Sequence, residues 1–205
     1  MDAIILAGGK GSRMDSLLPK ALVEAKGKPI IIHQLEYLIN SVDNITLSLG
    51  YKANEVSEYV KNNFNSSSID FSVEDEPLGT AGALKKSLQK ANSDTVLVLN
   101  CDDITNINLN DLFKRKENTI CVAHPKLPFG LVTSYNGYAE FIEKPVLNSW
   151  ASCGWYLLKK DLDSVLPDKG SLEYDVFPKQ KMRIFYHEEI WIPLNTKKDI
   201  EEFEK

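Results

Sequence analysis

Cysteine is scarce, and its arrangement excludes two common devices. Cys101, Cys121 and Cys153 are odd in number, widely spaced and without a C-x-x-C pair, so neither a disulfide framework nor a zinc site is expected. Long apolar runs are also missing. The opening MDAIILAGGKG reaches glycine after a few apolar residues, too soon for a signal-peptide core or a membrane span. There is no basic excess: a net charge of -5 argues against a nucleic-acid or anionic-membrane surface, while leaving room for a local cluster of cations around a phosphate. His33, His124 and His187 are scattered without metal spacing, so packed or surface roles are expected. No Ser-His-Asp arrangement, repeat, linker or low-complexity stretch is readable. These absences leave a cytoplasmic globular protein with a small-molecule partner, with 205 residues sized for one domain, 1–205.

What is present is an alternation. Short β-branched or apolar runs (AIILA, ITLSLG, IDFSVE, TVLVLN, TICVAH) alternate with segments of helical period (PIIIHQLEYLINSV, ANEVSEYVKNNF, TAGALKKSLQKA, NLNDLFKRK). That is the pattern of a parallel sheet wrapped by helices, a doubly wound α/β fold. Asn65-Ser66-Ser67-Ser68 reads as a polar loop. After about His124 the chain turns strand-rich: FGLVTSY and YAEFIEK meet at Asn136-Gly137, a two-residue hairpin signal, and WASCGWYLL follows. An antiparallel elaboration is expected there. A helix near KKDLDSVL, strands around RIFYHEEIWI and a last helix opened by Asn195-Thr196 complete the reading.

Between the first strand and the first helix lies LAGGKGSRMDSLLPK, Leu6 to Lys20. Gly8, Gly9 and Gly11 allow backbone N–H groups to approach an anion and adopt positive φ, while Lys10, Arg13 and Lys20 bring cations to the same place. The loop therefore reads as a triphosphate cradle. It lacks the G-K-[ST] ending of a Walker loop and the third glycine of a dinucleotide fingerprint. In TVLVLNCDDI, Asp102 falls just past the carboxyl end of a buried strand, where open α/β sheets hold ligands, and an acid there is placed to hold magnesium. Cys101 reads as a small buried side chain, and Asp103 as a solvated or capping neighbour.

Here the chain resembles the sugar-1-phosphate nucleotidyltransferases, whose signature reads L-A-G-G-x-G-[ST]-R, then P-K and G-K-P-[IL]. Pro19-Lys20 and Gly27-Lys28-Pro29-Ile30 complete the match. The resemblance implies a Rossmann-like nucleotidyltransferase fold, with the backbone of Leu6, Ala7, Gly8 and Gly9 facing the base and Gly11 and Ser12 in the nucleotide loop. It also implies that Arg13 holds the triphosphate and that Lys20 neutralises phosphates in the transition state. EDEPLGTAGALKKSL, from Glu74, resembles the second motif, in which Gly79 packs on the nucleobase and Thr80 starts a helix. Its wording is closest to mannose-1-phosphate and heptose-1-phosphate guanylyltransferases, and GTP is expected on that ground alone. The family's G-D or S-D makes Asp102 the Mg2+ ligand. Phe129-Gly130-Leu131-Val132 and Glu143-Lys144-Pro145 are similar to Y-G-V-V and E-K-P, which implies Gly130 and Glu143 at the sugar and Lys144 at the acceptor phosphate.

Two segments depart from the pattern. Ser152-Cys153-Gly154-Trp155-Tyr156 stands where relatives have N-A-G-x-Y, so the contacts of Ser152 and Gly154 with the acceptor must differ. SLEYDVFP resembles a sugar-linked segment and reads mostly as packing, with Glu173 a sugar contact. At the end, W-x-D-I-G-T-P-x-D becomes Trp191-Ile192-Pro193-Leu194-Asn195-Thr196-Lys197-Lys198-Asp199. The second magnesium carboxylate is thus replaced by Pro193, and the ending is similar to compact cobinamide-phosphate and molybdopterin nucleotidyltransferases. The expected reaction is nucleotidyl transfer from a nucleoside triphosphate to a sugar 1-phosphate. A non-sugar phosphate acceptor (cobinamide, choline or a cofactor phosphate) and a catalytically degenerate nucleotide-binding regulator stay open. A homodimer is allowed, and no C-terminal β-helix domain is expected after Lys205.

Overall fold

The computed structural model describes residues 1–14, 17–64 and 67–205. The strands in chain order are β1 (Asp2–Leu6), β2 (Glu24–Ala25), β3 (Lys28–Pro29), β4 (Asn44–Leu49), β5 (Ile69–Val73), β6 (Thr95–Asn100), β7 (Asp103–Thr105), β8 (Thr119–Ala123), β9 (Leu131–Tyr135), β10 (Tyr138–Ile142), β11 (Ala151–Lys159), β12 (Arg183–Tyr186) and β13 (Trp191–Pro193). The helices are α1 (Ile30–Leu38), α2 (Ala53–Asn63), α3 (Gly79–Leu88), α4 (Leu109–Leu112) and α5 (Lys197–Phe203). A seven-stranded sheet runs β12-β8-β11-β6-β1-β4-β5. Its strands are parallel except β11, which is antiparallel to both β6 and β8.

Period-two alternation puts successive side chains on opposite faces. Ala3, Ile5, Leu97, Leu99, Trp155 and Leu157 join one core with α1 and α2, while Ile4, Val96, Val98, Tyr156 and Leu158 join the other with α3. Three layers result: helices on each face of a sheet whose central strands are apolar on both sides, as buried parallel strands must be. The chain order around β1 reverses between β1 and β6, and the carboxyl ends of both open onto the same crevice, the place where such sheets hold ligands.

Several sequence expectations are refined. The strand-rich half forms a separate antiparallel pair at β9–β10; β11 and β12 enter the main sheet instead. RIFYHEEIWI is two strands in two sheets: β12 lies parallel to β8, and β13 pairs with β7. KKDLDSVL forms a 3-10 helix, Lys160–Val165, and NLNDLFKRK only the four residues of α4. SLEYDVFP coils as a π-helical turn, Leu172–Val176, followed by a 3-10 turn. Asn136 and Gly137 have φ of 50° and 82°, as a type I′ hairpin turn requires. Thr196 caps α5 in a capping box with Asp199. The polar loop expected at Asn65 to Ser68 lies partly outside the described residues.

Asp2 ties β1 to its surroundings: it accepts from Asn44 Nδ2 at 3.0 Å and from the backbone N–H groups of Asn92 and Ser93. Burial alone would raise its pKa, but these hydrogen bonds outweigh it and hold the carboxyl below the usual value. The stabilisation is therefore complete above the unfolded pKa, about 4, and lost as pH falls through the lowered folded value. Asp2→Asn is expected to cost about 1–3 kcal/mol near neutrality. Chemical denaturation should show that gap narrowing as pH falls below the unfolded pKa.

Candidate functional site

Above the β1–β6 switch lies a cleft of about 730 Å³, lined by Leu6, Ala7, Gly8, Gly9, Lys20, Glu74, Gly79, Thr80 and Asp102 among the residues expected at the site. Ser48, Gly50, Tyr51 and Asn100 also line it. Sequence reading missed these four, although Ser48, Gly50 and Tyr51 lie at or just past the carboxyl end of β4 and Asn100 ends β6. Strand ends facing the switch point are the signal that could have found them.

The floor is built by backbone approach. Ala7 N–H donates to Ser48 O at 2.8 Å, Cys101 N–H to Leu6 O at 3.1 Å, and Tyr51 N–H to Gly8 O at 3.1 Å. A Cβ on Gly8 would lie 2.9 Å from Glu74 Oε1 and 3.2 Å from Gly50 N, so any side chain there would press on both. Gly11 lies against the Lys20 side chain, and Ser12, Arg13 and Met14 form a 3-10 turn. Asp15 and Ser16, within the glycine-loop segment, lie outside the described residues. Lys10 reaches over the Tyr51 ring, 5.5 Å from its centroid.

Charge gathers at the other end of the cleft. Lys20 forms an ion pair with Asp102, and Lys20 Nζ and Arg13 Nη2 each donate to Asn195 Oδ1 at 3.2 Å. Asp102 is the carboxylate that faces this region. Asp103 turns inward instead, accepting from Trp191 Nε1 at 2.8 Å and Asn100 Nδ2 at 3.1 Å. It is a buried bridge, not the solvated or capping neighbour expected from sequence. Burial and the adjacent Asp102 charge raise its pKa, against those two hydrogen bonds. Among the described residues no group of three or more His, Cys, Asp or Glu side chains is arranged around a metal position. A lone carboxylate still fits magnesium, which is commonly held by one or two carboxylates and completed by substrate phosphates and water. Cys101 is buried and small, as expected, with its thiol pKa raised by burial.

Glu74 presents its carboxylate to the opposite part of the cleft. Oε2 accepts from Leu78 N–H at 2.9 Å, whereas Oε1, beside Gly8, accepts no hydrogen bond from a described residue. Gly79 starts α3 with φ of 71°, and a Cβ there would meet Gly170 O at 2.3 Å. Its glycine is thus required by the loop packed on α3, whatever it offers a base.

The residues expected at the acceptor fall into two groups, neither lining the cleft. Ser152 Oγ and Tyr156 OH are 3.2 Å apart, Tyr156 OH donates to Glu173 Oε1 at 3.3 Å, and Thr80 Oγ1 donates to Glu173 Oε2 at 3.1 Å. This chain of hydroxyls and carboxylate links the start of α3 to Ser152. Gly154 packs against Asp103, leaving no room for a side chain. The second group lies at the hairpin: Gly130 makes room for the Phe141 ring, Glu143 is exposed, and Lys144 forms an ion pair with Glu202 of α5. The hydrogen bond from Lys144 to Glu202 raises the lysine's pKa. The three histidines are packed: His33 on Ala25 O, His124 against Trp150, and His187 between Thr105 and Ile190 O. No helix among the described residues is long and apolar enough to cross a membrane.

Comparisons with known proteins bear on the family and the fold. A family model described as Nucleotidyl transferase matches residues 2–173. A D-glycero-alpha-D-manno-heptose 1-phosphate guanylyltransferase of Campylobacter jejuni is 32% identical, covering 99% of this chain and 98% of that protein. A similarly named enzyme of Aneurinibacillus thermoaerophilus is 38% identical over 56% of this chain and 52% of its own length. A mannose-1-phosphate guanyltransferase of Schizosaccharomyces pombe is 36% identical over 97% of this chain and 62% of its own length. The chain thus spans between half and two thirds of those last two relatives. The crystal structure of HddC from Yersinia pseudotuberculosis complexed with GMP-PN has a TM-score of 0.82 at 28% identity, covering 99% of this chain and 97% of that one. With the glycine loop, the switch-point cleft and a match over most of its length, this chain belongs to the nucleotidyl transferase family.

Proposed function

We propose that the chain is a single nucleotidyltransferase domain that transfers a guanylyl group from GTP to a sugar 1-phosphate, releasing pyrophosphate. The observation that carries the guanine reading is the open oxygen of Glu74 beside Gly8. A carboxylate accepts hydrogen bonds only, and guanine presents two adjacent donors, N1–H and the 2-amino group. Uracil and thymine flank their single donor with carbonyls, and adenine sets a ring acceptor beside its amino group, so each would bring a lone pair up to a carboxylate that guanine meets with donors alone. The relatives named as guanylyltransferases support the same choice.

In the reaction an acceptor phosphate oxygen bonds to the α-phosphorus in line with the bond to the β-phosphate oxygen, which breaks and carries its electron pair away as pyrophosphate. Both reactants are anions, so the protein's contribution is positioning and charge. Arg13 and Lys20 neutralise the triphosphate. Asp102 would hold Mg2+, which supplies further neutralisation when bound. Lys144 would receive the acceptor phosphate after exchanging Glu202 for it, while Gly130, Glu143, Ser152, Gly154 and Glu173 meet the sugar.

Pyrophosphate release across four nucleoside triphosphates and several sugar 1-phosphates, with magnesium, tests the reading. GTP is expected to dominate, and Glu74→Gln to lose about tenfold to a hundredfold of that preference, the weight of a charge-assisted hydrogen bond. Preference for UTP or dTTP, or an unchanged preference in the variant, would overturn it. Turnover with non-sugar phosphates alone would move the acceptor assignment to that class.

A further inference from the structure

Asn195 reaches the charged end of the cleft from the far end of the chain, and its backbone is fixed on both sides. Pro193 pairs with Asp103 across β13–β7, and Leu194 N–H donates to Asp102 O at 2.8 Å. On the other side Asp199, the capping-box carboxylate of α5, accepts from Asn195 N at 3.0 Å and Thr196 N at 2.7 Å. So held, the Asn195 carboxamide oxygen accepts from Arg13 Nη2 and Lys20 Nζ, both at 3.2 Å. One neutral oxygen therefore spans two cations that come from the middle and the end of the glycine-loop segment.

Two like charges brought this close repel, and something must hold them. A carboxylate would hold them more tightly but would cancel one of the charges that a polyphosphate needs. A carboxamide oxygen holds both through its two lone pairs and adds no negative charge. With Asn at 195, the cluster of Arg13, Lys20 and Asp102 keeps one net positive charge; with Asp it would keep none. We infer that Asn195 is a positioning residue, an uncharged tether that sets Arg13 and Lys20 at the phosphate site while leaving their charge available. The inference rests on the proposed triphosphate site but not on the base or the acceptor.

Calorimetric binding of inorganic tripolyphosphate, with chelator present to exclude divalent cations, separates the tether from a merely structural side chain. Asn195→Asp, nearly isosteric, is expected to weaken tripolyphosphate binding about tenfold or more, the scale of one added charge at a partly screened site, with the thermal midpoint unchanged. Asn195→Ala is expected to keep tripolyphosphate affinity within about threefold, since no charge changes. It should lower kcat about tenfold at saturating nucleotide, because the cations lose their fixed place. Equal or tighter tripolyphosphate binding by the Asp variant, or an unchanged kcat in the Ala variant, would overturn the tether. Wild-type protein that binds tripolyphosphate but turns over no nucleotide would instead count against the proposed reaction, leaving the binding arms to judge Asn195.

Discussion

Lys20→Ala is expected to lower turnover by about a hundredfold or more, with little change in thermal midpoint. The scale is that of removing one preorganised charge donor aimed at a developing anion. The geometry explains why the loss should fall on turnover. Lys20 lies where the Asp102 carboxylate and the Asn195 oxygen converge, and Gly11 packs against its stem. The ammonium is thus placed before substrate arrives, so no reorganisation is required as charge builds on the departing pyrophosphate. Asp102, left without its lysine, remains within reach of water at 18% side-chain exposure, which limits the cost to the fold. Pyrophosphate release at saturating substrates measures the effect. Turnover near that of the parent protein would remove Lys20 from the reaction.

Asp102→Asn is expected to abolish both activity and its dependence on magnesium. The second expectation is the more diagnostic, because it has a sign that a packing defect would not produce. Asparagine preserves size but removes a negative charge beside the proposed phosphate site, so binding of GTP without divalent metal should be unchanged or tighter, since repulsion between Asp102 and the phosphates is gone. Binding with magnesium should weaken, since the protein's carboxylate anchor is lost. Titrating GTP with and without magnesium checks both signs in one series. A variant that weakens both equally would have lost structure, not a metal ligand.

What could be read from the sequence follows the range over which the physics acts. The glycine loop, its cations, the Asn136-Gly137 turn and the Thr196 cap were legible because each is a local device whose residue types follow from backbone geometry. Strand ends at Leu6 and Asn100 were legible for the same reason, and they placed Asp102 correctly at the mouth of the crevice. Neighbours in the sheet were not. WASCGWYLL reads as a strand, but nothing in its own pattern says that β11 lies between β6 and β8, strands from distant parts of the chain. In RIFYHEEIWI the polar His187-Glu188-Glu189 separates two apolar stretches, but nothing in either says that they pair in different sheets.

Side-chain roles behaved the same way. Asp103 looked like a solvated or capping neighbour because its partners, Asn100 and Trp191, lie on both sides of it in sequence, the second 88 residues away. Asn195 read as a helix opener, and its backbone does meet Asp199 in that cap region. Its side chain, however, meets residues 182 and 175 positions earlier, a pairing that no local pattern encodes. Gly79 carries a double meaning: the motif reads it as a surface for a base, while the loop at Gly170 requires the same residue for packing.

The most direct test of the central claim, that this cleft runs nucleotidyl transfer, follows the two ends of the triphosphate separately. The protein would be incubated with magnesium, a sugar 1-phosphate and GTP labelled either at the α- or at the γ-phosphorus. The account predicts that α-label passes into a sugar nucleotide while γ-label leaves in pyrophosphate, in equal amounts and only when the acceptor is present. Label appearing as free phosphate, or pyrophosphate released equally well without any acceptor, would contradict it.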